Sequence, residues 1–287
     1  MLPMRSFTSN PSRYSAFSMM VGEAGLSVDF DIAYDVGARQ RMDIYRRWDD
    51  PGRGPVALFF YGGTWRHGCR SCYGFVGAAL ASQGIPTAIA DYRLFPDVRW
   101  PVFQEDAALA FRFVAKHLGL NGHRPVILIG HSAGAHLAAL LALDRRWNGG
   151  LTIGGLVGLA GPYTFDPSAW ASTAEIFCTA GASEILRPIA LIQREAPPTL
   201  LLHGAADDVV DSSVTRLFAD ALQAAGTDVT VEIFPGAGHR DIVVDFARPF
   251  RWRSPVLDRT VDFIHTVERS VAADVLPRRM SASATDP

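Results

Sequence analysis

Short apolar runs alternate with stretches of helical periodicity along this chain of 287 residues, and this alternation limits the folds that it can adopt. The runs are almost continuously apolar, as in strands buried on both faces of a sheet, and they lie at 56–61, 87–92, 126–130, 153–160, 199–203 and 229–234. Apolar residues recur with the helical period at 102–118, 135–143, 212–225 and 255–270. Because strands that alternate with helices form βαβ crossovers, the sequence predicts an α/β fold with a mostly parallel sheet and helices on both faces.

The ends of the chain and one internal segment depart from this alternation. From Ser27 the sequence SVDFDIAYD alternates apolar and polar residues, and RMDIY follows a turn, which predicts an antiparallel pair of strands at one edge of the sheet. The segment 161–198 is long, weakly periodic and aromatic, so we expect it to form a small cap within one domain spanning 27–271. We expect residues 1–26 to form a mobile arm and residues 272–287 a disordered tail.

Composition argues against several classes of partner. The formal net charge is −2, which favours neither nucleic acid nor an anionic membrane surface. No apolar run reaches the roughly 18 residues of a membrane helix, and the N-terminal segment lacks the apolar core of a secretory signal. The three cysteines are too few for the disulfide framework of a small secreted domain. We therefore predict a cytoplasmic protein, while the sequence leaves the oligomeric state open.

A CxxC pair is the one pattern that suggests a metal or redox site. Cys69 and Cys72 have this spacing, but a tetrahedral zinc site would need two further ligands, and neither a second CxxC pair nor an HxxxH pair occurs. We interpret Cys69 and Cys72 as ordinary thiols in a loop, with a redox role as the alternative, and we expect neither a metal ion nor a cofactor.

A serine stands between two glycines where an apolar run gives way to a helical stretch. The sequence GHSAG at 130–134 matches the nucleophile elbow, a sharp strand-to-helix turn that presents the serine hydroxyl at the edge of the sheet. The turn strains the serine backbone and leaves no room for larger side chains two positions away. The pattern predicts that Ser132 is a nucleophile and that the Ala133 N–H, at the helix N-terminus, stabilises negative charge.

A serine nucleophile needs a histidine base and a carboxylate that orients it. Asp207 follows the apolar run that ends at His203, and His239 follows the run that ends at Phe234. Both therefore lie at carboxyl ends of strands, on the same rim as Ser132, and the order Ser, Asp, His is the one that this kind of elbow requires. The sequence predicts these residues as the catalytic triad.

The neighbouring Asp208 is an alternative orienting residue. A helix is expected to begin shortly afterwards, and Asp211 or Ser212 is the expected N-cap of that helix. We therefore prefer Asp207 and interpret Asp208 as a loop charge.

A tetrahedral intermediate also needs a second donor from the loop after an earlier strand. Gly62, Gly63 and Thr64 follow the run 56–61 in the sequence FFYGGTW. Because glycine lets the backbone approach a substrate closely, this loop is the predicted source of that donor.

Several motifs together resemble the α/β-hydrolase superfamily, within it the acetyl-esterase/lipase-like group that includes the arylformamidases. The resemblance runs from about Val28 to about Ile264 and rests on YGGTW, DYRLFP, GHSAGAH, GLAGPY, LLHGAADDVV and PGAGH. It implies an α/β-hydrolase fold with a small cap. The roles that it implies agree with those derived above: Ser132 as nucleophile, Asp207 as orienting carboxylate and His239 as base, with oxyanion donors from Gly63, Thr64 and Ala133.

The chain departs from this group at the start of the oxyanion loop. The group has histidine in HGGxW, whereas this chain has Tyr61, so any hydrogen bond with which the histidine shapes the loop must be replaced. The resemblance also indicates a structural polar network of Asp91, Arg93 and Asp106, without a catalytic role.

Aromatic residues near the predicted site are candidates for the substrate pocket. Trp65 adjoins the oxyanion loop and is expected to wall the acyl pocket. The cap aromatics Tyr163, Phe165, Trp170 and Phe177 are candidates for the other side, of which Tyr163 and Phe165 are preferred, and the alternative is that they only pack the cap segment down.

The sequence thus predicts a serine hydrolase that cleaves small to medium carboxylic esters through an acyl-enzyme intermediate. An arylformamidase acting on N-formylkynurenine is an alternative with the same mechanism. A catalytically inactive binding protein on a hydrolase fold is a second alternative, because a fold alone does not guarantee chemistry.

Overall fold

Eight strands form one mixed sheet in the computed structural model of the chain. The structure describes residues 25–119, 124–164, 166, 168, 170–180, 183–194 and 196–282. The strands are β1 (Leu26–Ala33), β2 (Arg41–Arg47), β3 (Val56–Phe60), β4 (Thr87–Ala90), β5 (Val126–His131), β6 (Gly155–Leu159), β7 (Thr199–Gly204) and β8 (Val229–Phe234). The predicted arm at 1–24 lies outside the described residues, and β1 begins at Leu26, where the sequence still placed the arm.

The strand order in the sheet is β1-β2-β4-β3-β5-β6-β7-β8. Strand β2 pairs antiparallel with both β1 and β4, whereas the six strands β3 to β8 are mutually parallel. This confirms the predicted antiparallel edge pair and the mostly parallel sheet. The central strands β3 and β5 are buried along their whole length, as expected of strands covered by helices on both faces.

The helices cover both faces of the sheet. They are α1 (Gly74–Ser82), α2 (Val102–His117), α3 (Ala133–Leu143), α4 (Arg145–Asn148), α5 (Ala174–Phe177), α6 (Ser213–Ala224), α7 (Asp241–Val244) and α8 (Val256–Ala282). Short 3-10 turns lie at Arg70–Tyr73, Ser183–Leu186, Pro188–Leu191 and Arg248–Phe250. Helices α1 and α8 contact each other on one face, and α2 and α3 pack together on the other. No helix in the described ranges is both long and apolar enough to cross a membrane.

Helix α1 is missing from the sequence prediction. Its sequence, GFVGAALAS, is apolar nearly all round and therefore shows no amphipathic period. In the structure it packs against strands β2 and β4 and contacts α8, so most of its surface is buried.

The predicted disordered tail is wrong over most of its length. Helix α8 continues through residue 282 instead of ending near 271. This segment is rich in Ala, Leu, Arg and Met, which favour helix, and a helix already formed upstream needs no new nucleation. Residues 283–287 lie outside the described part of the chain.

The interpretation of Cys69 and Cys72 as free thiols is also wrong, because the structure joins them in a disulfide. The backbone turns tightly here, with the Cys72 N–H donating to the Cys69 carbonyl at 3.0 Å. The turn brings the two Cα atoms to 5.5 Å, within the range that a disulfide spans. Cys178 is free and exposed.

Candidate active site

Ser132 lies at the sharp turn between β5 and α3 and has a strained backbone, with φ 53° and ψ −120°. Residues other than glycine seldom adopt a positive φ, and such strain is concentrated at functional sites. The turn requires a small neighbour, because a Cβ on Gly134 would lie 2.0 Å from the Phe60 carbonyl oxygen. The structure therefore has the elbow geometry that the sequence predicted.

Three side chains from separate loops form a continuous hydrogen-bonded chain at the carboxyl edge of the sheet. The His239 Nε2 lies 2.8 Å from the Ser132 Oγ, and the His239 Nδ1 lies 2.7 Å from the Asp207 Oδ2. Because a carboxylate accepts hydrogen bonds, Nδ1 carries the proton and Nε2 accepts from the serine hydroxyl. This is the arrangement of a serine nucleophile, a base and an orienting acid.

The Asp207 carboxylate is fully buried, and the backbone supports its charge. Its Oδ1 accepts the N–H groups of Val209 and Val210 at 2.9 and 2.8 Å. Burial acts to raise the pKa of Asp207, but these bonds and the one from His239 outweigh it, so the pKa lies below its usual range. Asp208 is exposed, and the structure thus pairs His239 with the aspartate that the sequence favoured.

His131, next to the serine, supports the loop that carries His239. Its Nε2 lies 3.0 Å from the His239 carbonyl oxygen. Burial and the proximity of His239 lower the pKa of His131 to about 3, so the ring is neutral and donates Nε2–H to this carbonyl.

The loop after β3 presents a backbone donor toward Ser132. Thr64 has φ 51°, and Thr64 and Ala133 line the same cavity as Ser132. Neither of their N–H groups has a hydrogen-bond acceptor among the described residues. Gly63 has φ 134°, and its carbonyl accepts from the N–H groups of Arg66 and His67, which turns the loop back on itself. Gly63 does not line the cavity, unlike the other two predicted oxyanion residues.

Tyr61 occupies the position of the histidine in the HGGxW pattern and supports this loop through a buried network. Its hydroxyl donates to the Asp91 carboxylate at 2.8 Å and accepts from the Arg39 guanidinium at 2.8 Å. Arg39 also donates to the Gly68 carbonyl at 2.9 Å, at the far end of the loop. The ring of Tyr61 stacks on that of Tyr92 at 4.7 Å. Tyrosine thus provides the hydrogen bonds that the loop requires.

We expect Tyr61→Phe to destabilise the protein and to loosen the oxyanion loop. The change leaves the buried Asp91 carboxylate without one donor and Arg39 without one acceptor, which costs about 1–3 kcal/mol in the free energy of unfolding. Denaturant unfolding measures this loss, and kcat for an ester substrate is expected to fall as well. Unchanged unfolding and unchanged kcat would show that Tyr61 does not support the loop.

The predicted polar network is split into two parts. Arg93 forms ion pairs with the fully buried Asp106, which also accepts from the Gln40 amide. Asp91 instead bonds to Tyr61 and to Arg70.

A cavity of about 330 Å³ lies in front of Ser132. It is mostly apolar and is lined by Thr64, Trp65, Ser132, Ala133, Pro162, Trp170, Ser172, Thr173, Val209, Val210, Asp211 and Val214. The indole of Trp65 is 2% exposed and packs edge-on against His136 and Phe177, so this wall is firmly held.

Trp65 lines the cavity as predicted, but the other two predicted pocket residues are not seen there. The prediction for Tyr163 is wrong, because its ring is fully buried and stacks on Phe218 at 4.5 Å, away from the cavity. Glycines at 158 and 161 lie against this ring and let it turn inward. Phe165 lies outside the described residues.

Sequence reasoning missed the valines that complete the cavity, whereas Trp170, one of the cap aromatics considered for the pocket, does line it. The sequence did contain a signal for the valines, because two apolar residues directly follow Asp207–Asp208 in a loop, where polar residues are usual. In the structure Val209 is 62% exposed at the rim of the cavity. Trp170 is 56% exposed and lies in the aromatic segment 161–198.

The comparisons with known proteins agree with this fold. The prolyl oligopeptidase family model matches residues 102–264, and the BD-FAE family model matches residues 42–151. Esterase LipC of Mycobacterium tuberculosis H37Rv is 31% identical over 268 residues, which cover 84% of this chain and 66% of LipC. Isoprenylcysteine alpha-carbonyl methylesterase ICME of Arabidopsis thaliana is 28% identical, with 82% of this chain and 61% of that protein covered. The chain thus spans less than two thirds of the length of these curated relatives.

Solved structures of esterases share the fold. Esterase B of Lactobacillus rhamnosis HN001 has a TM-score of 0.71 at 19% identity, covering 88% of this chain and 89% of that one. Esterase 2 of Thermogutta terrifontis has a TM-score of 0.70 at 22% identity, covering 85% of this chain and 95% of that one.

The sheet, the elbow and these similarities define an α/β-hydrolase of the carboxylesterase-like type. The chain belongs to the prolyl oligopeptidase family, whose model matches more than half of it.

Proposed function

We propose that the protein is a serine esterase that hydrolyses small to medium carboxylic esters by acyl transfer to water. The observation that carries this proposal is the hydrogen-bonded chain Ser132–His239–Asp207 at the base of an apolar cavity. Serine is a weak nucleophile without such a base.

In the proposed reaction the Ser132 Oγ attacks the ester carbonyl carbon while the His239 Nε2 takes the hydroxyl proton. The carbonyl oxygen becomes an oxyanion, and the N–H groups of Gly63, Thr64 and Ala133 stabilise it. His239 then returns the proton to the leaving alcohol, and the acyl group remains on Ser132.

Deacylation repeats these steps with water. His239 takes a proton from the water molecule, the hydroxide attacks the acyl carbon, and the carboxylic acid leaves as Ser132 regains its proton. Asp207 stays ionised throughout and keeps His239 in the required tautomer.

The relatives named above support an ester substrate, since LipC is an esterase and ICME a methylesterase by name. The formamidase and the inactive binding protein gain no support from these relatives, so we do not propose either. For the other partners, we propose that neither nucleic acid nor a membrane takes part in the reaction, on the ground of the near-neutral net charge of −2.

The cytoplasmic location stays a prediction. It rested partly on the cysteines being too few for the framework of a small secreted domain, and the structure joins Cys69 and Cys72 in one disulfide. Disulfides persist mainly in oxidising compartments.

Hydrolysis of p-nitrophenyl esters from acetate to decanoate tests the proposal. We expect cleavage of the shorter members, and the chain length at which kcat/KM falls gives the size of the acyl site in the 330 Å³ cavity. Failure to cleave any ester in the series, together with resistance to a fluorophosphonate, would contradict the proposal.

We expect Trp170→Ala to weaken binding of the larger esters. Trp170 lines the cavity but does not touch the reacting groups, so its loss removes apolar contact and raises KM about tenfold, with little change in kcat for acetate. Steady-state kinetics with the acetate and hexanoate esters measures both effects. Trp252→Ala is the matched control, because Trp252 is 82% exposed and does not line the cavity. Equal KM values for Trp170→Ala and Trp252→Ala would refute this role of Trp170.

A further inference from the structure

A second histidine lies against the carboxylate that orients His239. His203 ends strand β7 and is fully buried. Its Nε2 lies 3.0 Å from the Asp207 Oδ2, the same oxygen that accepts from the His239 Nδ1. The sequence pattern shows this histidine only as the end of an apolar run and indicates no function for it.

The surroundings of His203 define which of its ring nitrogens carries the proton. Nε2 faces two acceptors, the Asp207 carboxylate and the Val210 carbonyl at 2.9 Å. Nδ1 lies 2.6 Å from the Thr215 hydroxyl on α6. Burial lowers the pKa of His203, although the Val210 carbonyl and Asp207 oppose this, and the ring is therefore neutral. In the neutral ring Nε2 donates and Nδ1 accepts from the Thr215 hydroxyl.

His203 also stabilises the loop that follows Asp207. Its Nε2–H bonds to the Val210 carbonyl, while the Val210 N–H bonds to the Asp207 Oδ1. The histidine thus holds the loop that supplies backbone donors to the carboxylate, and its Nε2 lies beside that carboxylate. Thr215 anchors the ring to helix α6 and fixes its tautomer.

We propose that His203 is a positioning residue for catalysis: its neutral, Nε2-protonated ring holds the Val210 carbonyl, and through that loop keeps the Asp207 carboxylate in the orientation that His239 requires. This inference rests on the proposed esterase function. His203 exchanges no proton with the substrate and acts only through Asp207. Small displacements of catalytic groups cost up to about 100-fold in rate, so the effect is expected in kcat rather than in KM.

The first test examines the state of His203 in the wild-type protein. Nitrogen-15 NMR of histidine-labelled wild-type protein distinguishes the two neutral tautomers and the charged ring. We expect His203, assigned by comparison with the His203→Gln spectrum, to be neutral with the proton on Nε2. A proton on Nδ1 alone would overturn the proposal, since Nε2 could not then donate to Asp207 or to Val210.

The second test compares two substitutions at the same site by p-nitrophenyl acetate kinetics. His203→Leu removes the donor and is expected to lower kcat by about 10- to 100-fold at nearly constant KM. His203→Gln keeps an N–H donor at a similar reach and is expected to retain most of kcat. Wild-type kcat in His203→Leu, or an equal loss in both variants, would overturn the proposal.

A third comparison remains decisive if His203→Leu does not fold. Thr215→Val removes the hydroxyl that anchors the ring, whereas Thr260→Val removes an equally buried helical hydroxyl that bonds only to its own helix at Val256. We expect kcat to fall several-fold for Thr215→Val alone, and equal kcat values for the two variants would overturn the proposal. A wild-type protein that cleaves no ester would refute the proposed function, while the NMR result would still decide the state of His203.

Discussion

Replacing Ser132 with alanine is expected to lower kcat/KM for p-nitrophenyl acetate by about 10⁴-fold or more, while the protein stays folded. The variant keeps the cavity, the free N–H groups of Thr64 and Ala133, and the His239–Asp207 pair. It lacks the oxygen that forms the acyl-enzyme, and only the weak catalysis due to binding and oxyanion stabilisation can remain. Initial rates of wild type and variant at matched concentration give the ratio.

Ser82→Ala is the matched control for this experiment. Ser82 lies at the end of α1, and its hydroxyl bonds within that helix to the Ala79 carbonyl. Its removal is expected to leave the rate unchanged. Retention of more than a tenth of the wild-type activity by Ser132→Ala would show that another residue is the nucleophile.

Replacing Asp207 with asparagine is expected to lower kcat by about 10⁴-fold. The amide cannot supply the negative charge that stabilises the protonated His239, and it favours the tautomer in which Nε2 carries a proton and cannot accept one from Ser132. The substitution also replaces a carboxylate that accepts from the Val209 and Val210 N–H groups. The loss is measured in kcat, with thermal unfolding monitored in parallel.

Asp208→Asn provides the matched comparison for Asp207→Asn. The two aspartates are neighbours in sequence, but Asp208 is exposed and only Asp207 bonds to His239. We expect kcat of Asp208→Asn to stay within about twofold of wild type, as for a solvated loop charge. If Asp208→Asn lost as much activity as Asp207→Asn, the assignment of the orienting carboxylate would be incorrect.

The sequence was sufficient for the features that depend on local pattern. Strands covered on both faces must be continuously apolar, so β3 to β7 could be located from the sequence pattern alone. The elbow could be located because only small residues fit beside Ser132, and the order of Asp207 and His239 followed from the strands that precede them.

Features that depend on contacts distant in sequence could not be predicted in this way. Tyr163 is aromatic and adjoins the cap, but it turns inward because residues 158 and 161 are glycines that admit its ring. The partnership of Tyr61 with Arg39 and Asp91 joins three loops that no sequence period relates. His203 resembled any histidine at a strand end until the fold placed Asp207 beside it.

Labelling with a fluorophosphonate, followed by peptide mass spectrometry, tests the central claim most directly. Phosphonylation requires a serine that an adjacent base has activated. Labelling therefore shows that the hydrogen-bonded side chains of Ser132, His239 and Asp207 are assembled, without any assumption about the natural ester. We predict one adduct per chain, on the peptide that contains Ser132, and slower labelling of Asp207→Asn. An adduct on a different residue, or ester hydrolysis by a protein that cannot be labelled, would contradict the account.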